Sequence, residues 1–189
     1  MRSKVPQGVA CGRFQPFHLG HLEYVLAAKK QCDFLWVGIT NPEPSLTKRD
    51  PADPHRSLPT SNPFTYHERF LMIRESLLEA GVPRKQFDIV PFPINFPERI
   101  PWYAPKHAKY FVTVYDDWGR KRVSLLQSAG LDVCVLWERT PDSKVTTGGE
   151  IRSMMQKKQR WQSKVPKAVA KTFRESGADE RIRSFQPMH

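Results

Sequence analysis

Two histidines, His18 and His21, stand three residues apart around a glycine in the run Gly12-Arg13-Phe14-Gln15-Pro16-Phe17-His18-Leu19-Gly20-His21. Residues at i and i+3 share a helical face, and Gly20 leaves room for a ligand to approach the backbone. The run follows the apolar stretch Val9-Ala10-Cys11, which reads as a buried strand, and it opens a helix. Imidazole rings beside the positive end of a helix dipole form an anion site, suited to the charge that builds up when a phosphoryl group is transferred. Two other uses compete. Zinc pairs on helices are usually spaced i, i+4, and this neighbourhood offers no set of Cys and carboxylate ligands to complete a site. Simple capping of the helix start would leave Gly12 and the Arg13-Phe14-Gln15-Pro16 run unexplained.

The elements that must position this pair are legible from periodicity. Residues 9–12 read as a short strand and 19–31 as a helix. In that helix Leu22, Val25, Leu26 and Lys29 fall at i, i+3, i+4 and i+7, Lys29 being long enough to snorkel. Residues 34–40 form a continuous apolar strand, as in a parallel sheet covered on both faces. Strand, helix and strand at this spacing make a βαβ unit with a right-handed crossover. Residues 41–63, rich in proline, serine and charge, are predicted to be a long loop of the kind that is usually functional or disordered. Thr65 and Glu68 form a capping box, opening a helix that carries Phe70, Ile73 and Leu77 on one face and ends near Gly81. Strands are predicted at 87–92, 110–115 and 131–137, and a helix at 119–128. The stretch 91–105 holds five prolines and cannot be regular. Thr147-Gly148-Gly149-Glu150 reads as a second capping box, its helix running through Ile151, Met154 and Met155, and 161–173 as a final helical segment. The α/β rule gives an open, mostly parallel sheet of about five strands with C-terminal helices. One domain spans 1–183, with a tail at 184–189.

The 189 residues can bury a full core, and 39% hydrophobic with 26% charged residues is ordinary for a soluble domain. No apolar run is long enough for a bilayer, and the N-terminus lacks the apolar stretch of a secretory signal. Cys11, Cys32 and Cys134 lie in apolar segments without CxxC pairing, which argues against a disulfide framework and reads as small core residues in a reducing cytoplasm. Trp36 and Trp137, inside strands, also read as core. The net charge of +11 calls for an anionic partner: nucleotides and their polyphosphates, nucleic acid, or only a solvated basic surface. The basic clusters at 120–122 and 157–160 are too short for a nucleic-acid arm.

The first motif resembles the signature of the HxGH nucleotidylyltransferase superfamily, and the closer likeness is to the compact archaeal-type nicotinamide-nucleotide adenylyltransferases. Asn62-Pro63-Phe64-Thr65-Tyr66-His67-Glu68-Arg69 is similar to that family's entry to its second helix. Thr147-Gly148-Gly149-Glu150-Ile151-Arg152 is similar to its second phosphate motif, Ser-Gly-Thr-x-Ile-Arg, and 161–183 to its last helices. The likeness covers nearly the whole chain. It implies a Rossmann-like, doubly wound fold and a single-step transfer of AMP from ATP to the 5′-phosphate of nicotinamide mononucleotide, forming NAD and pyrophosphate. Catalysis would then rest on positioning and charge neutralisation. His18 and His21 would meet the α-phosphate, and Arg152 would hold the β- and γ-phosphates. Gly12, Arg13, Phe14 and Gly20 would line the phosphates, and adenine would lie near Gly38-Ile39 and the Thr147-Gly148 turn. Mg²⁺ would bridge phosphate oxygens and keep most of its waters, with no dedicated protein ligands.

The departures bear on the acceptor. Gly149 replaces a hydroxyl residue near phosphate; Thr147 either supplies one or is used up as an N-cap. Where the family carries asparagines beside the nicotinamide, this chain has Tyr115-Asp116-Asp117-Trp118. These carboxylates suit a cationic or hydroxyl-bearing group or a metal, or else they cap the following helix. Trp102-Tyr103 follow a strand's carboxyl end, where open α/β sheets bind ligands; Trp102 either stacks on a pyridinium ring or packs its loop onto the domain. The main expectation is an enzyme that joins ATP to a phosphorylated small molecule, with self-assembly open and no role for membrane or nucleic acid. Its rivals are a superfamily enzyme using another phosphate or phosphonate acceptor or CTP as donor, and a non-catalytic nucleotide-binding module. Aminoacyl-tRNA synthetases share an HxGH-type motif, but this chain is too short for their usual parts.

Overall fold

A computed structural model describes residues 4–48 and 57–184. Five strands form one all-parallel sheet in the order β3-β2-β1-β4-β5. They are β1 (Val5–Gly12), β2 (Cys32–Thr40), β3 (Phe87–Phe92), β4 (Lys109–Val114) and β5 (Asp132–Glu138). Helices α1 (Leu19–Lys30), α2 (Tyr66–Glu79), α3 (Asp117–Ser128), α4 (Gly148–Gln156), α5 (Lys167–Glu175) and α6 (Ala178–Ser184) complete it. The chain winds outward from β1 to β3, then returns across the sheet to β4. This is the Rossmann-like, doubly wound arrangement, with its reversal point between β1 and β4.

The two faces are covered unequally. One core packs α1, α2, α4, α5 and α6 onto the sheet through Val25, Met72, Ile73, Ile151, Val169 and Ile182. The other is closed by α3 with Leu126 and by the proline-rich segment, whose Ile94, Ile100, Ala104 and Ala108 are buried. That segment holds one short 3₁₀ turn at Pro97–Trp102, because proline removes the donors a longer helix needs. Short 3₁₀ turns also occupy Pro44–Leu46 and Pro59–Ser61 within the predicted loop. β1 begins at Val5, earlier than apolarity suggests, because Val5 pairs with Cys32 and the Gln7 side chain accepts from Trp36 Nε1 at 2.9 Å.

Several side-chain expectations are corrected. Trp36 and Trp137 are half-buried at the sheet surface, each using its indole N–H on a polar partner. Cys11 and Cys32 are core, but Cys134 is only partly covered because β5 is an edge strand. Lys29 does not snorkel: it is buried, and its ammonium donates to the carbonyls of Cys32 (3.0 Å) and Asp33 (3.1 Å). The capping box at Thr65 and Glu68 is fully formed. Of the predicted tail, Ser184 ends α6 and 185–189 lie outside the described residues.

The carboxyl edge of the sheet is held by Arg69, the largest fully buried side chain, at 1% exposure. From the first turns of α2 it donates to the carbonyls of Arg13 (2.9 Å), Thr40 (2.8 Å), Asn41 (2.8 Å) and Thr65 (3.2 Å). Burial pulls its pKa down to about 10, so it remains a cation at neutral pH. Carbonyl dipoles stabilise that charge, with Glu68 favouring it at longer range, and the charge in turn satisfies carbonyls that leave the ends of two strands. Arg69→Met is expected to lower stability by about 3 kcal/mol or more by stranding those carbonyls. Arg69→Lys should recover only part, since one ammonium does not span them. Urea unfolding checks both; a midpoint for Arg69→Met equal to the parent's would show that the strand ends do not depend on this guanidinium.

Candidate active site

β1 and β4 pair only from Gly8–Lys109 to Ala10–Phe111, and beyond that they separate. Tyr24 of α1 bridges the gap: its hydroxyl accepts from the Cys11 N–H (3.1 Å) and donates to the Phe111 carbonyl (2.6 Å). Above this bridge a cleft of about 250 Å³ opens at the carboxyl ends of the two strands.

The loop after β1 makes its floor. Phe14 takes a left-handed backbone conformation, φ 53°, and its buried ring folds back over Gly12, where a Cβ would lie 2.7 Å from that ring. Only glycine fits there. His18 is the N-cap of α1, its Nδ1 accepting from the His21 N–H at 3.3 Å. The two imidazoles stack with centroids 3.6 Å apart, backed by Phe17 stacked on His21 and Phe14 set edge-on to it. Capping and ligand access are therefore compatible: with Nδ1 accepting, the neutral His18 ring carries its proton on Nε2. Burial drives the His18 pKa down to about 3, with Glu150 opposing and Lys144 reinforcing the shift. His21 is lowered well below 6.5 by burial, then by His18 and Arg13. Both rings are neutral N–H donors at neutral pH.

The start of α4 makes the opposite wall. Thr147 caps it, accepting from the Glu150 N–H at 3.1 Å. The Glu150 carboxylate accepts from Thr146 Oγ1 (2.9 Å) and pairs with Lys164 (2.9 Å), which anchors the helix start from below. A Cβ on Gly148 would meet the Gln15 carbonyl at 2.6 Å, whereas at Gly149 nothing lies closer than 3.9 Å. Gly148 thus lets α4 approach the first loop, and Gly149 leaves open space where a hydroxyl residue was expected. Arg152, in the second turn, donates to the Gln15 carbonyl at 2.6 Å. Burial takes its pKa to about 10 and leaves it charged. Gln15 in turn exchanges two hydrogen bonds of 2.9 Å with the Phe64 backbone. The walls are joined through one glutamine.

The remaining wall follows β4. Asp116 caps α3 through Oδ1 (2.8 Å from the Gly119 N) and pairs through Oδ2 with Lys144 at 3.1 Å. Lys144 lies over the Tyr115 ring, whose hydroxyl accepts from Trp137.

Of the residues predicted from sequence, the cleft gathers Gly12, Arg13, Phe14, His18, Gly20, His21, Asp116, Thr147, Gly148 and Arg152. Five do not join them. Gly38 packs against the Phe92 ring and Ile39 is in the core. Asp117 points to solvent and pairs with Arg120 at 3.3 Å. Tyr103 and Trp102 are outside, Trp102 being 84% exposed. Sequence reasoning missed Gln15, Lys144 and Arg122. For Gln15 and Lys144 the signal is only long-range pairing; Arg122 could have been noticed as a cation one turn into a helix that follows a strand's carboxyl end. Among the described residues no three His, Cys, Asp or Glu side chains converge as a metal cage, and no helix is long and apolar enough to cross a membrane.

The cleft suits a polyanion: Arg13, Arg152 and Lys144 line it around two neutral imidazole donors, and Arg122 borders it. The phosphonoformate cytidylyltransferase of Streptomyces viridochromogenes is 51% identical over 94% of this chain and 95% of its own length. The nicotinamide-nucleotide adenylyltransferase of Thermococcus kodakarensis is 31% identical over 95% and 88%. Among solved structures, a bifunctional NMN adenylyltransferase/ADP ribose pyrophosphatase from Francisella tularensis superposes with a TM-score of 0.68 at 16% identity. The match covers 95% of this chain and 53% of that one, and shows the fold alone. The cytidylyltransferase-like family model matches residues 9–186. The chain belongs to this family, within the HxGH nucleotidylyltransferases.

Proposed function

We propose that this protein transfers the cytidylyl group of CTP to a phosphonate oxygen, with phosphonoformate as the acceptor. The observation that carries the reading is the 51% identity, at nearly full length, to a phosphonoformate cytidylyltransferase, against 31% to the nicotinamide-nucleotide adenylyltransferases. It replaces transfer of AMP to nicotinamide mononucleotide as the preferred activity. The exposure of Trp102, away from the cleft, fits the change, since a phosphonate brings no pyridinium ring to stack.

In the reaction an acceptor oxygen attacks the α-phosphorus. The new P–O bond forms as the bond from the α-phosphorus to the bridging oxygen breaks, and pyrophosphate leaves with the electron pair. A phosphonate oxygen is already deprotonated at neutral pH, so neither end needs a proton moved. This suits the histidines: rings held neutral so far from pH 7 are poor acid–base catalysts but sound hydrogen-bond donors. His18 Nε2–H and the His21 ring are assigned to the non-bridging α-phosphate oxygens, whose charge grows in the transition state. Arg152 is assigned to the triphosphate and Arg13, which lines both spaces, to the phosphate oxygens between donor and acceptor, and the open start of α4 beside Thr147 and Gly148 adds N–H groups aimed at anions. Mg²⁺ carried in with the nucleotide substrate would supply charge neutralisation at the phosphates.

Purified protein given Mg²⁺, CTP and phosphonoformate should release pyrophosphate, and CTP should outperform ATP by about tenfold or more in kcat/KM, a difference worth ~1.4 kcal/mol. Faster turnover with ATP and nicotinamide mononucleotide would reverse the assignment. His21→Ala should lower kcat by roughly 10²–10³-fold while moving the CTP KM less than about threefold, as expected for a donor that acts mainly in the transition state. The free-enzyme histidine pKa values lie below the working range, so log(kcat/KM) against pH should show no histidine inflexion between about pH 6 and 8. An inflexion near the ordinary histidine value that disappears in His18→Asn would mean that an imidazolium does the work.

A further inference from the structure

Beside the main cleft, on the β2 and β3 side of β1, lies a second cavity of about 40 Å³. Its polar walls come from Arg13 after β1, Asn41 after β2, Lys48, Asn95 after β3, and Arg122 on α3, with Trp118 closing it. Arg13, Trp118 and Arg122 also line the main cleft, so the two spaces adjoin. Three of the described lining residues are cations and none is a carboxylate. At ~10–15 Å³ per water the space takes a group of a few heavy atoms, too little for a ribose carrying a base.

The walls are pre-set. Asn95 Nδ2 donates to Asn41 Oδ1 (3.1 Å) and to the Leu46 carbonyl (3.0 Å), and Arg69 holds the Asn41 carbonyl from behind (2.8 Å). Arg122 is tethered at one end only. Its Nη2 donates to the Thr113 carbonyl at 2.7 Å, while its Nε is buried and has no hydrogen-bond partner among the described residues. A buried charged donor without a partner is costly and calls for one. Anchored at Nη2 and unpartnered at Nε, the guanidinium in the annex wall keeps donors for a planar or tetrahedral oxyanion.

We propose that this annex binds the acceptor by its second acid group: Arg122, flanked by Lys48, holds the carboxylate of a compact two-acid phosphonate, and Arg13 faces its phosphonate toward the main cleft. The inference rests on the transfer reading above and deepens it, because it says why a small dianionic acceptor would be chosen over a nucleotide. Arg122 is then a specificity-determining residue on the acceptor side, separate from the donor clamp of His18, His21 and Arg152.

The test compares phosphonoformate with methylphosphonate, which lacks the second acid, using the whole protein and its Arg122→Gln and Arg122→Lys variants. The parent should prefer phosphonoformate by about tenfold or more in kcat/KM. Arg122→Gln should erase most of that preference by raising the phosphonoformate KM about tenfold or more while the CTP KM moves less than about threefold, and Arg122→Lys should restore part of it. Equal losses for both phosphonates, or a CTP KM that rises as far as the acceptor's, would overturn the proposal and return Arg122 to the donor side or to the scaffold. Calorimetric binding of each phosphonate, without nucleotide, separates this from the transfer reading. A parent that turns over no phosphonate with CTP removes the transfer reading. In that case, tighter binding of phosphonoformate than methylphosphonate by the parent, lost in Arg122→Gln, keeps the annex, and indistinguishable binding removes it.

Discussion

The site depends first on a buried cation held by backbone carbonyls. Arg69 spends its guanidinium on the carbonyls of Arg13, Thr40 and Asn41, where β1 and β2 give way to loops. Parallel strands must end in loops that carry unpaired carbonyls, and a sheet covered on both faces gives those carbonyls little water. One planar cation that reaches several of them fixes the loop ends relative to each other and to α2. Arg13 is thereby aimed at the main cleft and Asn41 at the annex. Gln15 does the same work one step further on, tying the first loop to Phe64 below and, through its carbonyl, to Arg152 opposite. The phosphate clamp is held by backbone carbonyls that lie far apart in the chain.

Electrostatics then follow from enclosure. His18 and His21 stack face to face within a wall of phenylalanine, and burial removes their charge. Positive charge is supplied instead by arginines, which burial lowers only to about 10. In the proposed reaction the labour divides: guanidinium groups would carry the permanent charge that attracts a polyphosphate, and neutral imidazoles would supply short-range donors at the reacting phosphorus. A single-step displacement between deprotonated oxygens asks for both and for no proton shuttle.

How much of this could be read from residues alone depends on the range of the interactions. The strand-helix alternation, the sheet of five parallel strands and the capping box at Thr65 were legible because each is written in local periodicity or in a four-residue pattern. The His18–His21 pair and the Thr147–Arg152 turn were legible for the same reason. Asp116 was ambiguous between cap and ligand; it caps α3 and also meets Lys144, a pairing 28 residues long that no local pattern records. Trp102 looked functional because it follows a strand's carboxyl end, yet its 3₁₀ turn leaves it in solvent while Ile100 and Ala104 fill the core. Lys29 was expected to reach water, and two carbonyls at the start of β2 hold it instead.

The same distinction separates donor from acceptor. The proposed donor clamp sits in two contiguous motifs, 12–21 and 147–152. The annex is assembled from the ends of β1, β2 and β3 and from α3, one or two residues from each. No short motif encodes it, and of its described residues only Gly12 and Arg13 lie in the phosphate signature. On the proposed reading, a change of acceptor would fall on residues at strand ends and leave the displacement at phosphorus untouched. Such a division is consistent with a chain that resembles nicotinamide-nucleotide adenylyltransferases in its signature motifs and yet is more similar, over its whole length, to an enzyme named for a phosphonate.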